Sequence, residues 1–231
     1  MVTITDKPDH DPVADMHLLD AYLRWAMEAA RKLVGQDGLN AVLREAKLER
    51  YIDEPPSGEL IVTDVTFGDY ASFNAAMLNH FQRSGKTLVK RAGQETARLA
   101  IAHQSGVYNL STVIAAKLLP HSVKLKMGLS AMMAGFKTLN EQKARQEWRG
   151  TIEDRADCYA FIIETCPFCA GKQSQSCIGW LMEANLEEAA RQVFGQFYDV
   201  VEIECRAKGD PAGVWLVPKE PSDETINQSA K

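Results

Sequence analysis

The apolar residues of this chain change period once, and the change divides it into a helical part and a sheet part. From Asp15 onward, Leu18, Leu19, Tyr22, Leu23, Trp25, Ala26, Ala29 and Leu33 recur at helical spacing. Gly35 ends that helix, and a shorter one carries Leu39, Val42, Leu43 and Ala46 on one face. Pro55-Pro56-Ser57-Gly58 is the clearest turn cluster. Leu60, Ile61 and Val62 with Val65 and Phe67 then read as a strand. Asp69 is placed to cap a helix bearing Phe73, Ala76, Met77 and Phe81. Further helices are expected through Leu88–Ala100, Leu110–Leu119 and Val123–Leu139, the last two divided by Pro120. From Trp148 the pattern alternates instead. Trp148–Glu164 reads as strand-turn-strand, Ile178–Phe194 as an amphipathic helix, and Tyr198–Arg206 as a strand. Gly209-Asp210-Pro211 turns that strand back into residues 213–217. The expected organisation is a flexible arm over 1–13, one domain over 14–217 that opens with N-terminal helices over 14–58, and a polar, disordered tail over 218–231.

A chain of 231 residues can bury one large core. With 45% hydrophobic and 25% charged residues, its composition excludes wholesale disorder. The net charge of -5 argues against a nucleic-acid partner, because no basic excess exists to displace counterions from phosphates. The acidic, polar start lacks the basic-then-apolar order of a signal peptide. No window approaches the run of about 20 apolar residues that a membrane span requires. A cytoplasmic protein is expected, and the five cysteines, an odd number, fit a compartment where thiols stay reduced.

Four of those cysteines fall in the sheet part: Cys166-Pro167-Phe168-Cys169, then Cys177, then Cys205. A Cys-x-x-Cys pair brings two sulfurs within reach of one soft metal ion, and two further sulfurs complete a tetrahedral shell. The candidate metal ligands are therefore Cys166, Cys169, Cys177 and Cys205, and the candidate cofactors are zinc or an iron–sulfur cluster. Two other readings stand beside this one: small buried hydrophobes, and redox thiols activated near a helix N-terminus. Cys158 reads as core. Glu202 and Glu204 alternate away from Val201, Ile203 and Cys205, either as solvated strand carboxylates or with Glu202 as an alternative metal ligand. Met127, Met132 and Met133 lie among the small residues Gly128, Ser130, Ala131, Ala134 and Gly135. Small residues permit close approach and Met fills irregular apolar space, so these three are the candidates to line a pocket. Ser84-Gly85-Lys86-Thr87 imitates the end of a phosphate-binding loop, but His80 stands where its first glycine belongs. The five histidines are dispersed, and no Gly-x-Ser-x-Gly elbow is present.

Cys177-Ile178-Gly179-Trp180-Leu181 leading into a helix, followed by the run from Glu202 to Pro211, resembles the C-terminal half of the 4-vinyl reductase domain, also called the hydrocarbon-binding domain. The resemblance is good over residues 155–217 and compatible over 70–105. That family is related to Bet3-like subunits of the transport protein particle and to haem nitric-oxide-binding domains. The resemblance implies an α/β fold in which an antiparallel sheet is backed by several helices around a small-molecule pocket, in a homodimer. In phenol-sensing relatives it implies a zinc site whose first three ligands fall on Cys177, Glu202 and Cys205. The fourth falls on Gly213, which cannot ligate, so Cys166 and Cys169 supply the missing sulfurs or the site is empty. The function expected is a stand-alone binding protein for an apolar small molecule, aromatic or tetrapyrrole-like. One alternative is an enzyme, a reductase or ring hydrolase using a metal or a reactive cysteine. Another is a structural or assembly subunit. Dimerisation is expected through the first helix, on the face bearing Tyr22 and Trp25.

Overall fold

The computed structural model describes residues 3–104 and 119–222. Helix α1 spans Asp20–Glu45 and breaks at Gly35, whose φ of 73° lies where a side chain would be strained. After the short α2 (Arg50–Asp53), α3 covers Phe67–Phe81. Its cap is Thr66, not Asp69. The Thr66 hydroxyl accepts the Asp69 N–H at 3.1 Å, and the Asp69 carboxylate accepts the Thr66 N–H at 3.0 Å. That reciprocal pair satisfies two amide donors that the first turn leaves unpaired. Helices α4 (Gly85–Gln104) and α5 (His121–Leu139) follow. Helix α6, Trp180–Phe194, ends at Gly195 with φ 70°.

The strands are β1 (Thr5–Asp6), β2 (Gly150–Asp154), β3 (Cys158–Ile163), β4 (Lys172–Gln173), β5 (Val201–Glu204) and β6 (Gly213–Pro218). The main sheet runs β2-β3-β6-β5 with every neighbour antiparallel. Its two faces differ in depth. Tyr159, Phe161, Ile163, Trp215 and Val217 join the main core beneath the helices. Ala160, Ala212 and Val214 form a small second cluster on the other face, with Ile162 and Leu216 at its margin. The expected antiparallel sheet backed by helices is the fold observed.

Four expectations about local structure are corrected. Residues 60–67 are not a strand: Phe67 already belongs to α3, and the segment runs extended beside the start of α1, where Leu18 N–H donates to Val65 O and Asp20 N–H to Ile61 O. The arm over 1–13 is docked from Thr3 onward. β1 pairs with β4, Ile4 is buried, and the Asp11 carboxylate accepts the N–H groups of Val13 and Gly171 and binds Arg206 at 3.0 Å. These contacts hold the Asp11 carboxyl down at about 2 against the burial that raises it. Trp25 does not offer an exposed face: it is 3% exposed and packs on Tyr22 and His103, with ring centroids 5.7 and 5.5 Å away. The fourth concerns β5 and is taken up with the site. The helix expected over 110–119, apart from its last residue, and the tail beyond residue 222 lie outside the described residues.

Candidate functional site

An apolar cavity lies between the inner face of the sheet and helices α1, α3, α4, α5 and α6. The void, taken across its mouth, is about 1190 Å³, and the part open to the centres of water-sized atoms is about 120 Å³. Helix α5 contributes Leu125, Gly128, Leu129, Met132 and Phe136, and α6 contributes Met182, Leu186, Ala189 and Val193. A chain of edge-on aromatic contacts closes one side. Tyr22 meets Phe136 at 6.4 Å, and Phe136 meets Trp148 at 5.9 Å. Of the three pocket methionines expected from the sequence, Met132 lines the cavity. Met133 is buried against Gly150 of β2, and Met127 is half-buried outside the lining. The lining residues of α4 and α6 carry no sequence motif; their alternation of small and branched side chains is the only trace of the cavity there.

The second assembly is a buried group of thiols and a carboxyl behind the cavity. Cys166, Cys169 and Cys205 are each fully buried. The Cys166 and Cys169 sulfurs are 3.6 Å apart, and Cys169 is also hydrogen-bonded to Cys205. The Glu202 carboxyl lies beside Cys205, 7% exposed. Its Oε2 accepts the Gly179 N–H at 2.7 Å, at the N-terminus of α6 where the helix dipole favours a carboxylate. Its Oε1 has no hydrogen-bond partner. Burial is the main cause that raises the Glu202 carboxyl to about 9, with Cys205 adding to it. The Cys169 thiol is raised chiefly by its bond to Cys166, and the Cys205 thiol chiefly by its bond to Cys169.

This placement reverses the expected sidedness of β5. Glu202 faces inward, while Val201 and Ile203 are 49% and 38% exposed. The cause is a bulge. Glu202 pairs with Trp215 and Glu204 with Val214, which leaves Ile203 as an extra residue. Glu202 and Cys205, three apart, then both point into the core. Cys177 is half-buried. It is close enough to Glu202 and Cys205 for their charges to act on it, with burial as the larger cause raising its thiol to about 12. Cys158, expected in the core, is half-buried at the start of β3. Among the described residues, no three or more His, Cys, Asp or Glu side chains are already gathered around a common metal position.

The two assemblies share one loop. Between Cys166 and Cys169, Pro167 and Phe168 turn outward and line the cavity. Phe168 stacks edge-on to Tyr70 at 5.6 Å and to Trp215 at 6.1 Å. Asn74 of α3 fixes this loop from below, donating to Phe168 O at 3.1 Å and to Ile178 O at 3.0 Å. Gly213, where the family resemblance puts a fourth zinc ligand, lies against this group: a Cβ there would sit 3.4 Å from the Cys166 sulfur.

Residues 159–214, from β3 through the cysteine loop and α6 into β6, match the 4-vinyl reductase domain, the family of the sequence resemblance. Solved structures place the whole described chain in one fold. An oxygen-binding H-NOX domain related to soluble guanylate cyclases, in its oxygen complex, superposes with a TM-score of 0.54 at 14% identity over 90% of this chain and 98% of its own. A structure solved for the molecular mechanism of H-NOX activation gives 0.54 at 14% identity, over 90% and 100%. A Cs H-NOX variant carrying 4-cyano-L-phenylalanine gives 0.57 at 14%, over 90% and 100%. No curated protein matches the sequence. The class defined is therefore a helix-backed antiparallel sheet of the H-NOX fold. Within that class, this chain carries a 4-vinyl reductase segment over 159–214.

Structures of that fold are described by the distortion of their haem. The residues of this cavity do not fit a haem. Among the described lining residues none is a histidine or cysteine, the usual axial ligands, and none is a lysine or arginine to meet the porphyrin's carboxylates. Tyr70 could ligate only as a phenolate, and its complete burial raises its pKa and opposes that ionisation.

Proposed function

We propose that this protein binds an apolar small molecule in the cavity between its sheet and helices. The observation that carries the reading is the cavity itself: a concave, largely hydrocarbon space with a handful of polar atoms, enclosed by five helices and the inner sheet face. The 4-vinyl reductase match and the H-NOX fold support it. Indane is a suitable probe, since it is compact and carries no polar atom. Titration is expected to change the emission of Trp148, which lines the cavity, and to saturate. A linear, unsaturable response would remove the reading. We assign the protein to the cytoplasm, a reading supported by its composition and its free thiols.

A second reading concerns zinc, and the unpartnered Glu202 Oε1 favours it. An orphaned carboxylate oxygen nine-tenths buried beside clustered sulfurs is costly unless something binds it. Cys166, Cys169 and Cys205 with Glu202 would hold the ion, three sulfurs and one oxygen that suit zinc better than an all-thiolate cluster. Zinc there would supply a structural tie between the cysteine loop and β5. Elemental analysis of freshly purified protein is expected to find about one zinc per chain and to lose it in Cys205→Ser. A metal-free, fully folded wild type would reject the reading. The reactive-cysteine form of the enzyme alternative draws no support, because the raised thiols of Cys169, Cys177 and Cys205 are poor nucleophiles.

A further inference from the structure

The cavity's polar atoms are almost all spent on the protein. The Thr96 hydroxyl donates to Ala92 O at 2.8 Å. Asn140 donates to Phe136 O at 2.9 Å and accepts from Gln146 Nε2 at 2.8 Å. Asn185 donates its amide to Leu181 O at 2.9 Å. Each bond turns a polar side chain back onto its own helix or a neighbour and leaves carbon facing the void. Tyr70 is different. Its side chain lines the cavity, the residue is 4% exposed, and no described group hydrogen-bonds its hydroxyl. It stands on α3 beside the Phe168 ring, and Tyr22 is the ionisable neighbour that acts on it. A buried hydroxyl without a partner is unfavourable, which in a native interior points to a missing ligand atom.

The charged residues add a second constraint. Among the described residues lining the cavity there is no Asp, Glu, Lys, Arg or His. An ionic ligand would lose its hydration there and meet no opposite charge, a cost that hydrocarbon contacts do not offset. A pure hydrocarbon would enter but leave the Tyr70 hydroxyl unpaired.

We propose that Tyr70 is the specificity-determining residue of this cavity, donating its hydroxyl proton to a neutral oxygen acceptor on an otherwise hydrocarbon ligand. The proposal rests on the apolar-ligand reading and adds to it a chemical class: a compact uncharged ketone, ether or alcohol in preference to a carboxylate or a porphyrin. Burial keeps the phenol protonated, so it remains a donor throughout the physiological pH range. The hydrogen bond forms at one atom, while the aromatic walls of Phe136, Trp148 and Phe168 supply shape.

The test compares indane, 1-indanone and indane-1-carboxylate, which share one carbon skeleton, on wild type and Tyr70→Phe. Wild type is expected to bind indane and 1-indanone, and to bind the carboxylate at least about tenfold more weakly than 1-indanone. Tyr70→Phe is expected to weaken 1-indanone by about tenfold while changing indane by less than about twofold. Should the variant fail to fold, the wild type still decides. The carbonyl stretch of bound 1-indanone should lie below its frequency in cyclohexane, as a hydrogen-bonded ketone does. An unshifted stretch, an equal effect of Tyr70→Phe on both neutral probes, or loss of 1-indanone binding in Trp148→Phe but not in Tyr70→Phe would each overturn the proposal. Tight binding of the carboxylate would do the same. If neither neutral probe binds wild type at all, the apolar-ligand reading itself fails, an outcome distinct from these.

Discussion

Glu187 sits on α6 with 3% of its surface exposed, and it shares the ammonium of Lys90 with Glu183, at 3.0 and 2.9 Å. Two carboxyls facing one cation leave one negative charge uncompensated, and burial makes that charge costly. Burial is the larger cause that lifts the Glu187 carboxyl to about 7, and Lys90 draws it part of the way back. Glu183 and Asp199 are the other charged groups acting on it, and both raise it further. The folded state therefore holds a proton that the unfolded chain has released between pH 4.5 and 7. This contribution is complete below the ordinary glutamate pKa and is lost as pH rises through about 7. Up to about 3 kcal/mol is at stake. Urea midpoints are expected to fall from about pH 5 to about pH 7.5 in wild type and to fall less steeply in Glu187→Gln, which keeps the shape and removes the charge. Parallel profiles for the two proteins would show that Lys90 neutralises Glu187 fully. Glu202 teaches a different lesson about single residues. Read by strict alternation it is a surface carboxylate, and one extra residue in the strand puts it in the core.

Helix against helix, the decisive contact is α4 on α6. Gly93 is the reason they approach so closely: a Cβ there would lie 2.5 Å from the Leu181 carbonyl oxygen and 3.0 Å from the Ala184 Cβ. The first of these neighbours is backbone and cannot yield without moving the helix. Charged residues then lock the pair from the sides, with Arg98 reaching Glu188 at 2.7 Å. Gly93→Leu is expected to cost about 1–3 kcal/mol through overpacking and to widen the cavity wall that these helices share. Chemical denaturation measures the first effect and the affinity for indane the second. A variant as stable as wild type would mean that α6 slides without penalty. The same reasoning explains Gly179, where a Cβ would sit 2.6 Å from the Glu202 Oε1 and push the carboxylate out of its place.

For the whole molecule, a ligand that occupies the folded cavity and has no site in the unfolded chain must raise stability by mass action. Indane at about 100 times its dissociation constant is expected to add about 2.7 kcal/mol. This would appear as a concentration-dependent rise in the thermal midpoint. A midpoint indifferent to indane would place any observed binding outside the core. The cysteine loop gives the molecule a further connection: its outer residues, Pro167 and Phe168, meet the ligand space, and its ends, Cys166 and Cys169, meet Cys205 and Glu202.

By itself the sequence determined what depends on local pattern. Helical spacing located α1, α3, α4 and α6, alternation located β2, β3 and β6, and the cysteine spacing and the 202–211 run identified the family later matched over 159–214. These features are written in neighbouring residues, so they survive being read one segment at a time. Tertiary structure alone decided the rest. The bulge at Ile203 sets which side of β5 faces inward, because sheet register is a property of two strands and not of one. The docking of the N-terminal arm depends on Asp11 meeting Gly171 and Arg206, residues 160 and 195 positions away. The cavity, and the isolation of the Tyr70 hydroxyl within it, exist only where five helices and a sheet fail to fill the space between them. No segment of the chain encodes that space, because it is the remainder left by packing all of them.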